Sequence, residues 1–248
     1  MRGLEWLTAR PIAHRGLHDA AKGIVENTAS AFNAAIAGNY AIECDLQVTA
    51  DGEAIVHHDG ALGRLTEGSG RLDAMLAADL RQVRHKATAD RMLTLGELCD
   101  LVSSRVALVI ELKSGFEGDI RLVRRAAAVL AGYAGLAALM SFDPAQIAVL
   151  RRTAPKVPRG IVAESRGHKK NQSPLMSRAS SALAYCRHGL AARPQFLAYA
   201  VSDLPATIPF VAQTLLRLRL LTWTVRTGDD RKRAVRWADQ MIFEGFRP

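Results

Sequence analysis

The feature that most constrains this chain is a regular alternation of short apolar runs with segments of helical periodicity. The clearest run, Val106-Ala107-Leu108-Val109-Ile110-Glu111-Leu112-Lys113, is nearly continuous, as expected of a strand covered on both faces. Strands centre near residues 12, 43, 108, 138, 161, 198, 222 and 242. Alternating strand and helix implies a parallel sheet. Eight such units in 248 residues imply one domain, 1–248, folded as an α/β (β/α)8 TIM barrel. A doubly wound open sheet is the alternative. No G-x-G-x-x-G turn follows the first strand, which weakens a dinucleotide-binding reading.

Asn27 reads as the N-cap of a helix over 28–39, with Gly38 near its stop. Thr94 and Glu97 read as a capping box for a helix to Val102. Further helices are expected at about 119–131, 144–152, 175–188, 206–218 and 229–237. The stretch 59–92 carries Gly60, Gly63, Gly68 and Gly70 and holds at most a short helix over 74–83. It reads as a small insertion after the second strand.

Residues 41–59 read as strand, tight Asp51-Gly52 turn and returning strand. Period two places Glu43 and Asp45 on one face, two residues apart. Adjacent carboxylates repel and lose hydration when buried, so a positive group must compensate them. Chemistry in such barrels gathers at the carboxyl ends of the strands, and the polar residues fall there. His14 and Arg15 follow the first strand, Glu111 and Lys113 end the third, Ser141 ends the fourth, and Trp223 and Thr224 end the seventh. Three carboxylates, Glu43, Asp45 and Glu111, suit one hard divalent cation, Mg²⁺ or Ca²⁺. Zinc sites favour histidine and cysteine, and nothing here favours zinc. Two histidines beside such a cluster, with Arg15 and Lys113 near, supply proton transfer and phosphate neutralisation, the needs of phosphodiester cleavage. The returning strand offers His57 and His58, and spacing alone does not choose between them.

Net charge is +9, and its excess lies in one stretch: residues 151–193 hold ten Lys or Arg and one acid, Glu164. Such a patch attracts anions, whether phosphorylated substrate, nucleic acid or membrane surface, or is merely solvated. The loop around Gly167-His168-Lys169-Lys170 reads as a lid or as a plain surface loop. Aromatic residues make up 6% of the chain, and the basic stretch has only Tyr185, so base-stacking platforms are scarce and nucleic acid is not the expected partner. No apolar run is long enough to span a membrane. The start, Met1 to Leu7, lacks a signal-peptide core, and Cys44, Cys99 and Cys186 form neither a metal pattern nor an even disulfide framework. A cytoplasmic enzyme of small molecules with no integral membrane segment is expected.

Together these residues resemble the glycerophosphodiester phosphodiesterases. The resemblance rests on Ile12-Ala13-His14-Arg15-Gly16, Glu26-Asn27-Thr28, Ala31-Phe32, Gly38 and Ile42-Glu43-Cys44-Asp45. It continues through Thr49-Ala50-Asp51-Gly52, Ile55-Val56-His57-His58-Asp59, Leu62, Thr66, Glu111-Leu112-Lys113, Ser141-Phe142 and Trp223-Thr224-Val225. It is dense over 11–70 and ordered to about residue 226. It implies a TIM barrel with a small insertion after the second strand. It implies a divalent metal on Glu43, Asp45 and Glu111, catalytic His14 and His58, and phosphate contacts from Arg15 and Lys113. Asp59 would orient His58, and His57 falls at a variable position. Trp223 is expected to wall the glycerol pocket or to be core. The implied reaction is hydrolysis of glycerophosphodiesters to an alcohol and sn-glycerol 3-phosphate. A phospholipase-like enzyme acting on lysophospholipid or sphingomyelin is the alternative, and a barrel kept only for binding is a third reading.

Two places depart from the family pattern. Members commonly carry Thr-Asp, a proline and a final helix where this sequence reads Phe243-Glu244-Gly245-Phe246-Arg247-Pro248. The N-terminal segment is expected to cover that edge, or the edge pairs with another subunit in a homo-oligomer. An asparagine is common where Arg226 stands.

Overall fold

The computed structural model describes residues 3–165 and 191–248. Eight parallel strands close into a barrel: β1 (Ile12–Ala13), β2 (Ala41–Val48), β4 (Leu108–Leu112), β5 (Ala137–Ser141), β6 (Arg159–Ala163), β7 (Phe196–Ala200), β8 (Arg219–Val225) and β9 (Gln240–Phe243). Closure comes from β1, which pairs with both β2 and β9. The ninth strand, β3 (Ala54–Val56), is antiparallel to β2 and stands outside the ring. Helices α1 (Ala29–Ala37), α3 (Leu95–Val102), α4 (Arg121–Leu130), α5 (Pro144–Thr153), α6 (Thr207–Thr214) and α7 (Gly228–Trp237) accompany the strands. The expected helix at 175–188 and the loop around Gly167-His168-Lys169-Lys170 lie outside the described residues.

Alternation along each strand divides the core. From β2, Ile42, Cys44 and Leu46 face outward into a cluster with Phe32, Leu95, Leu98 and Val123. The inward cluster stacks Ile12, Ala41, Val109, Ala138, Met140, Val162, Phe196, Ala198, Leu221 and Ile242. Gly160 on β6 makes room there, since a Cβ at that position would overlap the Phe196 ring. Leu7, fully buried, and the partly buried Trp6 belong to the same cluster, so the N-terminal 3₁₀ turn Glu5–Thr8 packs into the barrel core. Thr8 O accepts from Gln240 Nε2 at 3.0 Å. On the outer side of β9, Phe243 meets the rings of Tyr40 and Phe246 at 5.0 and 5.4 Å. Burying a side chain the size of Leu7 is worth about 1.5–3 kcal/mol, so this turn adds measurably to the fold.

The capping box at α3 forms as the sequence predicts, Thr94 Oγ1 accepting from Glu97 N at 3.2 Å. A second one, Thr227 with Asp230, starts α7. Two expectations are corrected. The tight Asp51-Gly52 turn is part of a longer connection, 49–53, because the register pairs Val48 with Ala54. Thr49 closes it, its Oγ1 accepting from Glu53 N at 2.8 Å and donating to Asp51 Oδ1 at 2.5 Å. Asn27 is not the cap of α1: that position is Thr28, and the Asn27 side chain points elsewhere. Between β3 and α3 lie a 3₁₀ turn (Leu72–Ala74) and a one-turn helix, α2 (Ala77–Leu80). They have a small core of their own, Ile55, Leu72, Ala77, Leu80 and Met92. Among the described residues, no helix is long and apolar enough to cross a membrane.

Candidate active site

The inward faces of β1, β2 and β4 change from apolar to polar toward their carboxyl ends. Ile12 gives way to His14, Ala41 to Glu43 and Asp45, and Val109 to Glu111 and Lys113. Register then brings Asp45 opposite Glu111 and Glu43 opposite Val109. Glu43, Asp45 and Glu111 are all buried, and one oxygen of each lies within 4.8 Å of the others.

Each carboxylate is only partly satisfied. Glu43 Oε2 accepts the Arg15 N–H at 2.9 Å. Lys113 Nζ lies 2.6 Å from Glu111 Oε1 and 2.8 Å from Asp45 Oδ1. Asn27 Nδ2 donates to Asp45 Oδ2 at 2.9 Å. Arg15 Nε sits 3.2 Å from that same oxygen as an ion pair without hydrogen-bond alignment. Burial opposes the charge on Asp45, but Lys113 and Arg15 win and hold its pKa below the usual carboxylate range. Burial, then the charges of Asp45 and Glu111, push Glu43 well above that range. Burial also raises Glu111, against the pull of Lys113. Among the described residues, three buried acids face two cations, Arg15 and Lys113, one charge short of balance. A divalent ion with oxygen ligands fits that deficit and this donor set.

Arg15 is tied on its outer side as well. Its Nη1 donates to Glu26 Oε1 at 2.7 Å. That oxygen also accepts Arg64 Nη2 at 2.6 Å, and Arg64 Nε donates to Asp59 Oδ2 at 2.6 Å. Asp59 Oδ1 in turn holds His58 Nδ1 at 2.8 Å. An unbroken chain of ion pairs, closed by the Asp59–His58 hydrogen bond, therefore links Asp45 to His58. Both Arg15 (φ 55°) and Asn27 (φ 57°) adopt left-handed backbone, as does Gly16 (φ 78°). At Gly16 a Cβ would come within 2.8 Å of the Ala31 carbonyl carbon, so the turn after β1 requires glycine.

His14 follows β1, its N–H bonded to Phe243 O at 2.9 Å. Its Nδ1 meets Glu244 Oε2 at 2.5 Å, while Nε2 lies 3.9 Å from Glu43 Oε2. Burial lowers its pKa, and Glu244 opposes that shift. His58 is also lowered, chiefly by burial. Both line an open cavity of about 1420 Å³ together with Arg15, Glu43, Asp45, Glu111, Lys113 and Trp223. His57 does not line it. It is 3% exposed, and burial lowers its pKa to about 4. Trp223 meets Phe142 edge-on, ring centroids 5.6 Å apart at 85°, and both line the same cavity.

Residues 14–246 match the profile of the glycerophosphoryl diester phosphodiesterase family. The chain belongs to that family. A glycerophosphodiester phosphodiesterase of Caldanaerobacter subterraneus is 36% identical over 112 residues, 42% of this chain and 45% of the relative. A probable glycerophosphodiester phosphodiesterase 1 of Mycobacterium tuberculosis is 28% identical over 179 residues, 62% of this chain and 64% of the relative. The matches thus span less than two thirds of either relative's own length. The barrel superposes on an Oleispira antarctica phosphodiesterase in complex with the product sn-glycerol-3-phosphate, with TM-score 0.76 and 19% identity over 96% of this chain and 94% of that one. A Thermotoga maritima glycerophosphodiester phosphodiesterase gives TM-score 0.70 at 19% identity, over 94% and 92%. Likeness at this level concerns the fold.

Several residues of this site carry no clear signal in the sequence. The sequence predicts a helix cap at Asn27, and no local pattern marks Arg64 as a site residue. Glu244 had a signal available: it directly follows the last barrel strand, where polar residues carry chemistry in this fold.

Proposed function

We propose that the chain, as a single catalytic barrel carrying the 59–92 segment, hydrolyses glycerophosphodiesters to an alcohol and sn-glycerol 3-phosphate. Glu43, Asp45 and Glu111 would hold one divalent cation, Mg²⁺ or Ca²⁺. The observation that carries the reading is the pair of histidines at the carboxylate cluster, each tied at Nδ1 by its own carboxylate. That tie leaves Nε2 of both rings for proton transfer. When bound, the cation polarises the phosphoryl oxygen and stabilises the charge that builds on it.

The chain's own residues supply the rest. Lys113 spends two of its three N–H groups on Asp45 and Glu111 and has one left for a phosphate oxygen. Arg15 adds a second fixed positive charge, held in place by Glu26 and Asp45. One histidine takes the proton of the attacking hydroxyl, and the other protonates the departing alkoxide. Burial favours the neutral ring, the form the base needs; the ring that protonates the alkoxide first takes up a proton at Nε2, and the carboxylate at its Nδ1 stabilises the imidazolium that results. Trp223 and Phe142 form an apolar wall suited to the carbon face of glycerol. The test is His14→Ala and His58→Ala: each removes turnover of glycerophosphocholine while the fold and the cation affinity persist. Near-normal turnover in either variant contradicts the assignment.

A further inference from the structure

We propose that Glu244 is the positioning residue of His14, and that Arg226 holds Glu244 for that task. The inference rests on the phosphodiesterase reading above, in which His14 moves a proton. Glu244 is pinned at both ends. Its backbone N–H bonds Val225 O at 3.1 Å, and the preceding residue, Phe243, accepts the His14 N–H at 2.9 Å. The β1–β9 register, Ala13 opposite Phe243, therefore fixes His14 and Glu244 side by side although 230 positions separate them.

The two carboxylate oxygens divide the work. Oε2 accepts Nδ1–H of His14, and Oε1 accepts Arg226 Nε–H at 2.5 Å. His18 Nε2 lies 3.5 Å from Oε2, without hydrogen-bond alignment. Glu244 is largely buried, its side chain 18% exposed, so it needs these donors to stay charged. A charged acceptor at Nδ1 has one consequence for the ring: the proton resides on Nδ1, and Nε2 carries its lone pair toward the carboxylate cluster 3.9 Å away. Among the described residues, Glu244 is the one hydrogen-bond partner of Nδ1, so its removal leaves that tautomer unselected. Asp59 does the same for His58 from the other side of the site, so each ring has its own carboxylate.

The experiment has two independent readouts. Histidine ¹⁵N NMR of the protein, with the His14 signals assigned by their loss in His14→Asn, reads the tautomer. Release of sn-glycerol 3-phosphate reads kcat and KM. Wild type shows His14 protonated at Nδ1 only. Glu244→Ala shifts the ring to a tautomer mixture and lowers kcat about 100-fold, with KM within about threefold. Glu244→Gln, which keeps an acceptor but no charge, retains the tautomer and falls between. Arg226→Ala lowers kcat by about threefold to tenfold, because the carboxylate loses one of its two tethers. If Glu244→Ala does not fold, Glu244→Gln carries the test by the same two readouts. His14 still protonated at Nδ1 in Glu244→Ala, or a kcat within about threefold of wild type in both Glu244 variants, overturns the proposal. Should no glycerophosphodiester be turned over, the reaction is misassigned, and the tautomer readout still judges Glu244 alone.

Discussion

Substituting Asn27 separates two accounts of one residue. As a helix N-cap it would tolerate Ser with almost no loss, since Ser and Asn cap about equally well, and Ala would cost about 1 kcal/mol. The structure gives it a different task. Asn27 Nδ2 donates to the buried Asp45 Oδ2 at 2.9 Å, and Asn27 Oδ1 accepts the Asp45 N–H at 3.3 Å, beyond the point where β1 ends. Serine is too short to make either bond. Losing a hydrogen bond to a charged group costs about 1.5–3 kcal/mol, and an unsatisfied backbone N–H about 1 kcal/mol more. The left-handed backbone at φ 57° suits Asn and costs a residue such as Ser about 1 kcal/mol. Asn27→Ser should therefore destabilise the metal-free protein by about 4 kcal/mol, a fall on the order of 10 °C in Tm. Urea unfolding followed by circular dichroism measures it. Affinity for the cation should drop about 10-fold to 100-fold in the same variant, because Asp45 loses its orienting partner. A loss under about 1 kcal/mol with unchanged cation affinity would restore the helix-cap role and refute the clamp.

Three further outcomes follow from the same geometry. His57 has its folded pKa lowered to about 4 by burial, so the fold binds neutral imidazole; its contribution is present above the ordinary value near 6.5 and lost as pH falls toward 4. Stability should drop by about 3 kcal/mol between pH 7 and pH 4 from this residue, and His57→Gln should flatten that part of the urea-midpoint profile; an unchanged profile would remove His57 as its cause. Arg64, 45% exposed, should cost under about 1 kcal/mol of stability when replaced by Ala, yet lower kcat about 10-fold by releasing Asp59 from behind His58. An unaltered kcat would show that Asp59 holds His58 without help. Gly160→Ala should destabilise by about 2 kcal/mol by displacing the Phe196 ring, where an unobstructed strand glycine would gain from the change; a stabilised variant in thermal melts would contradict the packing described.

Much of this molecule is legible in its sequence, for physical reasons that particular residues make plain. The barrel follows from eight apolar runs, because strands buried on both faces cannot alternate polarity and helices must cover them. The juxtaposition of Glu43, Asp45 and Glu111 needs only period two on β2 and the ordinary parallel pairing of β2 with β4. What stays hidden depends on backbone conformation or long-range register. Asn27 has a good cap's identity, but its left-handed backbone turns the side chain toward β2 instead of α1. His57 and His58 differ only in which way β3 points them as it leaves the hairpin: one ring enters the core, and the other lines the cavity. Glu244 meets His14 only because the last strand closes the ring against the first. Arg226, a departure from the family's common asparagine, is bonded to Glu244, which lies in the other departing stretch, and no local pattern reveals that pairing.

Cation-dependent hydrolysis of a glycerophosphodiester can be measured directly. Metal-stripped protein should be incubated with glycerophosphocholine, with and without added Mg²⁺, Ca²⁺ or Mn²⁺, and sn-glycerol 3-phosphate measured. Release is expected only with a divalent cation, and none from Glu43→Gln under the same conditions. Equal release in the presence of chelator, or no release with any of the three ions across a panel of glycerophosphodiesters, would contradict this expectation.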